Sequence, residues 1–459
     1  MIGHERMQDV DDYIDGHFAR WVNELVPLCR IASVSAANVG LAECAALFAA
    51  ETRRLGMRTE IIPLAGEGSP PLVHALLEVP GARRTILIYG HLDVQPAEPL
   101  DAWHSPPFEP EIRNGRLYGR GTSDNKGQLF AHLKAIEALQ RTGRGVPANI
   151  RIVIDPQEEI GSPLLSRFAA ANKAKLAADY CYIADAAAAA GDRPVLYFGN
   201  RGSCYVEVAV RTADRDVHSG GFGGPMPNAA WRLIDFLRSL RREDGSIAIE
   251  GFYDDIVPPS PAERAAIAAL PHDPAAWRRA LGVAAEDGPA DMPYFEKIML
   301  RPTLTICSLL SGNTERKVKT VIPACASAKL DMRLVSNQRP EDILDKLRAH
   351  ARRHGFADVA IEPYDFQYYP SKTPIDHPMG AVIAGAVREA FGVEPLLYPV
   401  SGGSNPGHVL RNVLGIPTVM VPYATHDEGS HGPNENLSLD FLRKGIKTSA
   451  AVFVGLGAL

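Results

Sequence analysis

The sequence predicts an α/β protein in which a mostly parallel sheet flanked by helices is interrupted by an inserted α+β domain. Three observations predict it. Residues 85–89 and 150–154 are short continuous apolar runs, the mark of strands buried on both faces. Between them, residues 126–139 place Leu129, Leu133, Ile136 and Leu139 at helical spacing. A strand, a crossover containing a helix and a second strand make a parallel unit. Near residue 203 the period changes to two: Tyr205 faces one way and Val206, Val208 and Val210 the other, and Leu330, Met332 and Leu334 alternate with Lys329, Asp331 and Arg333. Such alternation suits a sheet with one wet face. At residues 378–391 the helical period of the first pattern resumes.

In order along the chain, residues 10–30 and 41–55 repeat apolar side chains every three to four positions and are expected as helices. The strand at 85–89, the helix at 126–139 and the strands at 150–154 and 180–183 follow. The insert then reads as strand 203–211, helix 228–240, strands 303–309 and 326–334, helix 340–354 and strand 357–361. That order is the split βαβ, ferredoxin-like arrangement. The boundaries expected are 1–200 and 375–459 for the first domain and 201–374 for the insert, with the Pro- and Ala-rich residues 257–293 as its embellishment.

With 459 residues, 46% hydrophobic and 22% charged, the chain can bury a large core, and the disordered, collagen and coiled-coil classes are excluded. A balance of 48 Lys+Arg against 54 Asp+Glu leaves no basic surplus for a nucleic-acid backbone or an anionic membrane, so neither partner is expected. The six cysteines include no CxxC pair and read as buried free thiols in a reducing compartment. Residues 1–20 lack the apolar stretch of a signal peptide, and no run approaches the ~18 apolar residues of a membrane helix. A cytoplasmic location is the expectation.

The chemistry gathers at strand ends. His91 follows an apolar strand directly, with Asp93 two residues on, so on extended backbone both project from one face. Open α/β sheets place ligands at the carboxyl ends of their strands, where His91 reads as a metal ligand oriented by a carboxylate. Alone, a His-x-Asp reads as a solvated turn. The placement recurs, however. Asp124 lies in the glycine-dense loop 119–127 opening onto a helix, Glu158 and Glu159 end the strand at 150–154, and Asp185 closes the strand at 180–184. A histidine and four carboxylates thus converge on one edge. One imidazole per ion among oxygens suits zinc or manganese, and a carboxylate such as Asp124 can bridge two ions. Two ions roughly 3.5–4 Å apart acidify a shared water and polarise a carbonyl, leaving a neighbouring carboxylate as general base. His431, after an apolar strand at 417–421, is a second imidazole candidate, with His426 in competition.

Taken together, residues 90–96 (GHLDVQP), 119–128, 156–159 (PQEE) and 215–220 (RDVHSG) resemble the dinuclear zinc peptidases that include carnosinase-like cytosolic dipeptidases, glutamate carboxypeptidases, aminoacylases and succinyl-diaminopimelate desuccinylases. The resemblance runs from about residue 10 to 459 and is nearest the dipeptidase branch. It implies that the first domain is catalytic and the insert a lid or dimerisation domain. One metal would be held by His91, Asp124 and Asp185, the other by Asp124, Glu159 and His431. Glu158 would be the general base, Asp93 the carboxylate behind His91, and the Asp124–Asn125 peptide would be cis. His218 would reach the active site of the partner subunit in a homodimer and stabilise the oxyanion.

Arg333 would bind a substrate carboxylate, with Thr320, His377, Gly403 and Ser404 as further contacts. Arg333 also fits the wet face of its alternating strand. The implied reaction is hydrolysis of a peptide or N-acyl amide next to a free carboxylate, by a hydroxide bridging two divalent ions, Zn²⁺ first and Mn²⁺ or Co²⁺ as alternatives. Decarbamoylation or deamination on the same metals, or a non-catalytic scaffold role, are the other readings. Two departures bear on the substrate. Val400-Ser401 precedes the Gly402-Gly403 pair where the dipeptidase branch has an acidic residue, which argues against free dipeptides as the main substrate. Five alanines at 186–190 replace larger or polar residues and imply a wider or more apolar pocket wall.

Overall fold

The apolar runs of the N-terminal half become the central strands of one sheet. The structure, a computed structural model, describes residues 7–289 and 292–459. In chain order its main elements are α1 (Gln8–Arg30), α2 (Leu41–Arg54), β1 (Arg58–Pro63), β2 (Pro71–Leu77), β3 (Thr85–His91), α3 (Lys126–Arg141), β4 (Asn149–Asp155), β5 (Tyr180–Ile183) and β6 (Val195–Tyr197). The insert contributes β7 (Gly202–Arg211), α4 (Ala229–Ser239), β8 (Thr303–Ser311), β9 (Cys325–Leu334), α5 (Pro340–Arg353) and β10 (Ala360–Tyr368). The chain returns through α6 (Pro378–Phe391), β11 (Leu396–Tyr398), β12 (Thr418–Met420) and α7 (Leu439–Gly457). Two units result. One comprises the residues up to Gly199 with Lys372–Pro399 and Asn405–Leu459, the other Asn200–Ser371 with Val400–Ser404.

In the first unit the strand order is β1-β2-β4-β3-β5-β12-β6-β11. The pairs β3/β4, β3/β5, β5/β12 and β6/β11 are parallel, and β1/β2, β2/β4 and β12/β6 antiparallel. Register brings the useful ends together. His91 pairs with Asp155, Tyr89 with Ile183, and Ile183 with Met420. Everything that follows these strands therefore leaves from one edge. Helix α3 forms where the apolar spacing places it, and every residue from Lys126 to Leu139 is buried. Its charges are satisfied internally: Lys126 Nζ donates to the carbonyls of Leu28 (3.0 Å) and Ile31 (2.7 Å) at the end of α1, and Lys134 Nζ meets Glu24, Glu51 and Glu137.

The second unit is an antiparallel sheet of order β8-β9-β7-β10. Val206, Val208 and Val210 of β7 and Ala328, Leu330 and Met332 of β9 pack against Leu233 and Phe236 of α4 and Ile343 and Leu347 of α5. The alternation read from the sequence is the covered face. Strand β10 begins at Ala360, later than expected, because the residues before it turn, with Val359 N–H donating to Phe356 O at 3.0 Å. The Pro- and Ala-rich embellishment includes two short helices, Pro261–Ala268 and Pro274–Leu281, each with proline in its first turn. Ser260 caps the first in a capping box with Glu263, and Asp273 caps the second. Residues 290 and 291 of that segment lie outside the described residues.

Val400–Ser404 falls in the expected C-terminal segment yet joins the inserted unit. Arg201 N–H donates to the carbonyls of Ser401 (3.2 Å) and Gly403 (3.1 Å), and its Nε to Gly402 O (2.9 Å). The cysteine reading needs a correction. Cys29, Cys44, Cys181 and Cys204 are buried free thiols, but Cys307 and Cys325 are exposed. Cys307 sits at the register shift of the edge strand β8, and Cys325 starts β9 on the face opposite Ala326 and Ala328. Among the described residues no helix is long and apolar enough to cross a membrane.

Candidate active site

His91 ends β3 with its side chain 1% exposed, and its position is fixed from three sides. Its N–H donates to Asn125 Oδ1 (3.2 Å), and Asn125 Nδ2 donates in turn to Ala184 O (2.7 Å) at the end of β5. Gly90 permits that approach, since a Cβ there would lie 2.8 Å from Asn125 Oδ1. The ring's Nδ1 lies 3.1 Å from Asp93 O and 3.4 Å from Asp93 Oδ1. A donor Nδ1 leaves Nε2 as the free lone pair, the tautomer that a metal ligand requires. Nε2 is buried and makes no aligned hydrogen bond, although Asp124 Oδ1 lies 3.1 Å away. Asp93 holds a second element as well: its two oxygens accept the N–H groups of Glu158 (3.1 Å) and Glu159 (3.0 Å).

Asp124 stands between two imidazoles. Its Oδ1 faces His91 Nε2 and its Oδ2 faces His431 Nε2, each at 3.1 Å. His431 Nε2 is also 3.1 Å from Glu159 Oε2, and Asp185 Oδ2 lies 3.9 Å from His91 Nε2. The Asp124–Asn125 peptide is cis, as the resemblance implies. Among the described residues, ligand atoms of His91, Asp124 and Glu159 lie within 4.8 Å of one another. An orphaned buried imidazole nitrogen, a carboxylate with one oxygen toward each ring, and surrounding acidic oxygens form a donor set that fits divalent ions.

The electrostatics are those of crowded acids around two bases. Burial raises Glu158 well above the usual carboxylate range. The charges of Asp185, Glu159 and Asp124 add to this, and His91 opposes it. Burial and then the charge of Asp124 push Asp185 up to about 6. Burial would also raise Asp124, but the imidazoles of His431 and His91, each 3.1 Å from one of its oxygens, outweigh it and hold the group well below its usual range. His91 mirrors this. Burial lowers it, yet Asp124 and Asp93 carry it well above the ordinary imidazole value. Hydrogen bonds to Asp124 and Glu159 push His431 up to about 11.

His426, the competitor in sequence, lies elsewhere. Its Nδ1 is 2.7 Å from Asp192 Oδ1, in an exposed group with Asp427, and Arg116 pairs with Asp427 at 2.9 Å. His377 caps α6, its Nδ1 accepting from Met379 N–H (3.3 Å). In the inserted unit His218 is exposed, its Nδ1 accepting from Gly220 N–H (3.0 Å) and its Nε2 lying 3.2 Å from Thr320 Oγ1. Arg333 Nε pairs with Asp331 (2.9 Å), and its Nη1 donates to Ser404 Oγ (3.0 Å). Gly403 N–H donates to Ser401 Oγ at 3.2 Å.

Gln95 was missed as a site residue. It clamps Glu159, with its N–H on Oε1 (3.1 Å) and its amide on Oε2 (3.0 Å) and on the Glu159 carbonyl (3.1 Å). Its place four residues after His91, inside a quoted motif, was the only signal available.

Comparisons with known proteins identify the family. Residues 87–454 match the family described as Peptidase family M20/M25/M40. A Beta-Ala-His dipeptidase of Rattus norvegicus is 27% identical, covering 99% of this chain and 96% of its own. A Cys-Gly metallodipeptidase of Schizosaccharomyces pombe is 30% identical, covering 82% and 81%. Among solved structures, an M20 family metallo-carboxypeptidase from Sulfolobus solfataricus has a TM-score of 0.87 at 30% identity, over 96% of this chain and 99% of that one. Human carnosine dipeptidase 1 has a TM-score of 0.81 at 28% identity, over 99% of each. Because the matched span holds every strand end that carries a candidate ligand, the chain belongs to peptidase family M20/M25/M40 and is a metallopeptidase.

Proposed function

We propose that the protein cleaves the peptide or N-acyl bond of a small substrate next to its free carboxylate, using two divalent ions, zinc foremost. The observation that carries this reading is Asp124, with one carboxylate oxygen toward His91 and the other toward His431, beside a buried His91 Nε2 that lacks a hydrogen bond. His91, Asp124 and Asp185 would hold one ion, and Asp124, Glu159 and His431 the other. Bound there, the ions supply Lewis acidity toward the scissile carbonyl and toward water.

The remaining steps belong to the chain. Glu158, whose N–H is held by Asp93, takes the proton from the attacking water and delivers it to the leaving amine. Asp93 keeps the His91 ring and the Glu158–Glu159 backbone in place. His218 of the partner subunit would donate to the developing oxyanion, and Arg333, with Ser404, Gly403 and Thr320, would bind a substrate carboxylate; His377 is a further contact in this reading. Support for the substrate class comes from relatives named as dipeptidases and a carboxypeptidase.

A homodimer is part of the proposal. Strand β8 is an edge strand, and Ile306, Leu309 and Leu310 on it are 48%, 56% and 57% exposed. An open apolar edge pairs readily with a second copy of itself. Replacing Glu158 with Ala tests the reading. Turnover should vanish while bound metal stays near the wild-type amount, and normal activity in that variant would refute the role.

A further inference from the structure

Glu435 takes no part in the proposed chemistry, yet it is the fully buried centre of the loops that carry it. Its Oε1 accepts the N–H groups of Ser123 and Asp124, each at 3.0 Å, and lies 3.2 Å from Ser123 Oγ. Its Oε2 accepts the N–H of Gly121 (2.9 Å) and Arg120 Nη1 (2.8 Å), and its own carbonyl accepts the N–H of Gly119 (2.9 Å). One side chain thus fastens three backbone groups of the Asp124 loop. Arg120, 1% exposed, extends the connection through Nη2 to Pro96 O (3.2 Å), at the end of the His91 motif.

Glu435 is also four residues beyond His431. The segment between closes on itself, with Gly432 N–H on Gly429 O (3.0 Å) and Asn436 N–H on Glu428 O (2.8 Å). His431 itself has a left-handed backbone (φ 61°) and a side chain 58% exposed, so neither core packing nor regular structure sets its position. We propose that Glu435 is the positioning residue that sets the spacing between His431 and Asp124, and thereby builds the half of the ion site that the core does not. Charge-assisted hydrogen bonds to successive N–H groups make this attachment stiff. Glutamine would oppose those donors with its own N–H₂ and leave buried Arg120 without a counter-charge.

The inference rests on the two-ion reading, and zinc uptake separates the two. Full-length protein is stripped of metal, and calorimetric zinc titration and thermal melting are recorded for wild type, Glu435→Gln, the charge-balanced double variant Arg120→Met/Glu435→Gln, and Lys134→Met. The last breaks a buried ion network of the same unit away from the site. Two zinc ions are expected for wild type. In both Glu435 variants one of the two should weaken roughly 10- to 100-fold, as for lost hydrogen-bond partners of metal ligands. The other ion should stay within about threefold, and Lys134→Met should keep both affinities although it melts earlier.

Wild-type zinc binding in a folded Glu435 variant would overturn the positioning role, as would an equal zinc loss in Lys134→Met. Failure of both Glu435 variants to fold would make the residue a determinant of the fold and also overturn it. A wild type that takes up no zinc would instead sink the two-ion reading itself.

Discussion

The two imidazoles that flank Asp124 are held by opposite means. His91 ends a core strand, with a side chain 1% exposed, a backbone bonded to Asn125 and a ring oriented by Asp93. His431 sits on a loop, 58% exposed, and that loop is fastened to the Asp124 loop by the carboxylate of Glu435, with Glu428 accepting from Ser123 Oγ beside it. One half of the site is a consequence of the sheet, and the other of loop hydrogen bonds. Substitutions should therefore divide into those that damage fold and site together and those that damage the site alone.

The largest effect falls on the shared group. Asp124→Ala should leave no tightly bound zinc and no measurable turnover, read by metal analysis after dialysis; one zinc retained at wild-type affinity would show that Asp124 does not bridge. Next, His91→Ala should cost about 3 kcal/mol of stability in denaturant unfolding as well as zinc, because it leaves buried carboxylates without their partner. His431→Ala should lose zinc on its own side only, and should destabilise the metal-free chain less than His91→Ala does, because its side chain is 58% exposed although Asp124 and Glu159 lose a partner. Equal destabilisation by the two would erase the contrast. Smaller still, Gln95→Ala should weaken zinc about tenfold by freeing Glu159.

A third histidine sharpens the comparison by its surroundings. His132 on α3 is as buried as His91 but, among the described residues, pairs with no carboxylate, and burial lowers it from 6.5 to about 3. It is neutral in the folded chain, while the unfolded chain takes up a proton below pH 6.5. Its contribution to stability is therefore complete above 6.5 and lost as pH falls toward about 3, at about 1.4 kcal/mol per pH unit. Urea unfolding at pH 7 and pH 5 should show a shallower loss for His132→Gln than for wild type.

These contrasts also explain what could be read in advance. His91, Asp124, Glu158, Glu159 and Asp185 were legible because they directly follow apolar strands or open a helix, and strand ends of a parallel sheet share an edge. His431 was harder to separate from His426, since both lie in one polar loop, and only the three-dimensional arrangement sends one to Asp124 and the other to Asp192. Glu435 and Arg120 left no readable signal, and Gln95 only its place inside the His91 motif. Their partners are backbone groups far along the chain, and no periodicity marks a polar loop residue that turns inward. Helical spacing likewise says nothing of the burial of Lys126 and Lys134, because the carbonyls and glutamates that receive them come from other elements. The reading of all six cysteines as buried failed on the edge strand β8 and the start of β9, where an apolar sequence meets no covering layer.

The central claim is that ions held around Asp124 make this chain an amide hydrolase. It is tested most directly by offering dipeptides, N-acetyl amino acids and N-carbamoyl amino acids to metal-stripped protein, before and after zinc is restored. The account predicts no cleavage before, and after it cleavage of a peptide or N-acyl substrate with a free carboxylate. Equal cleavage by the stripped protein, or silence across the panel with two zinc ions bound, would contradict it.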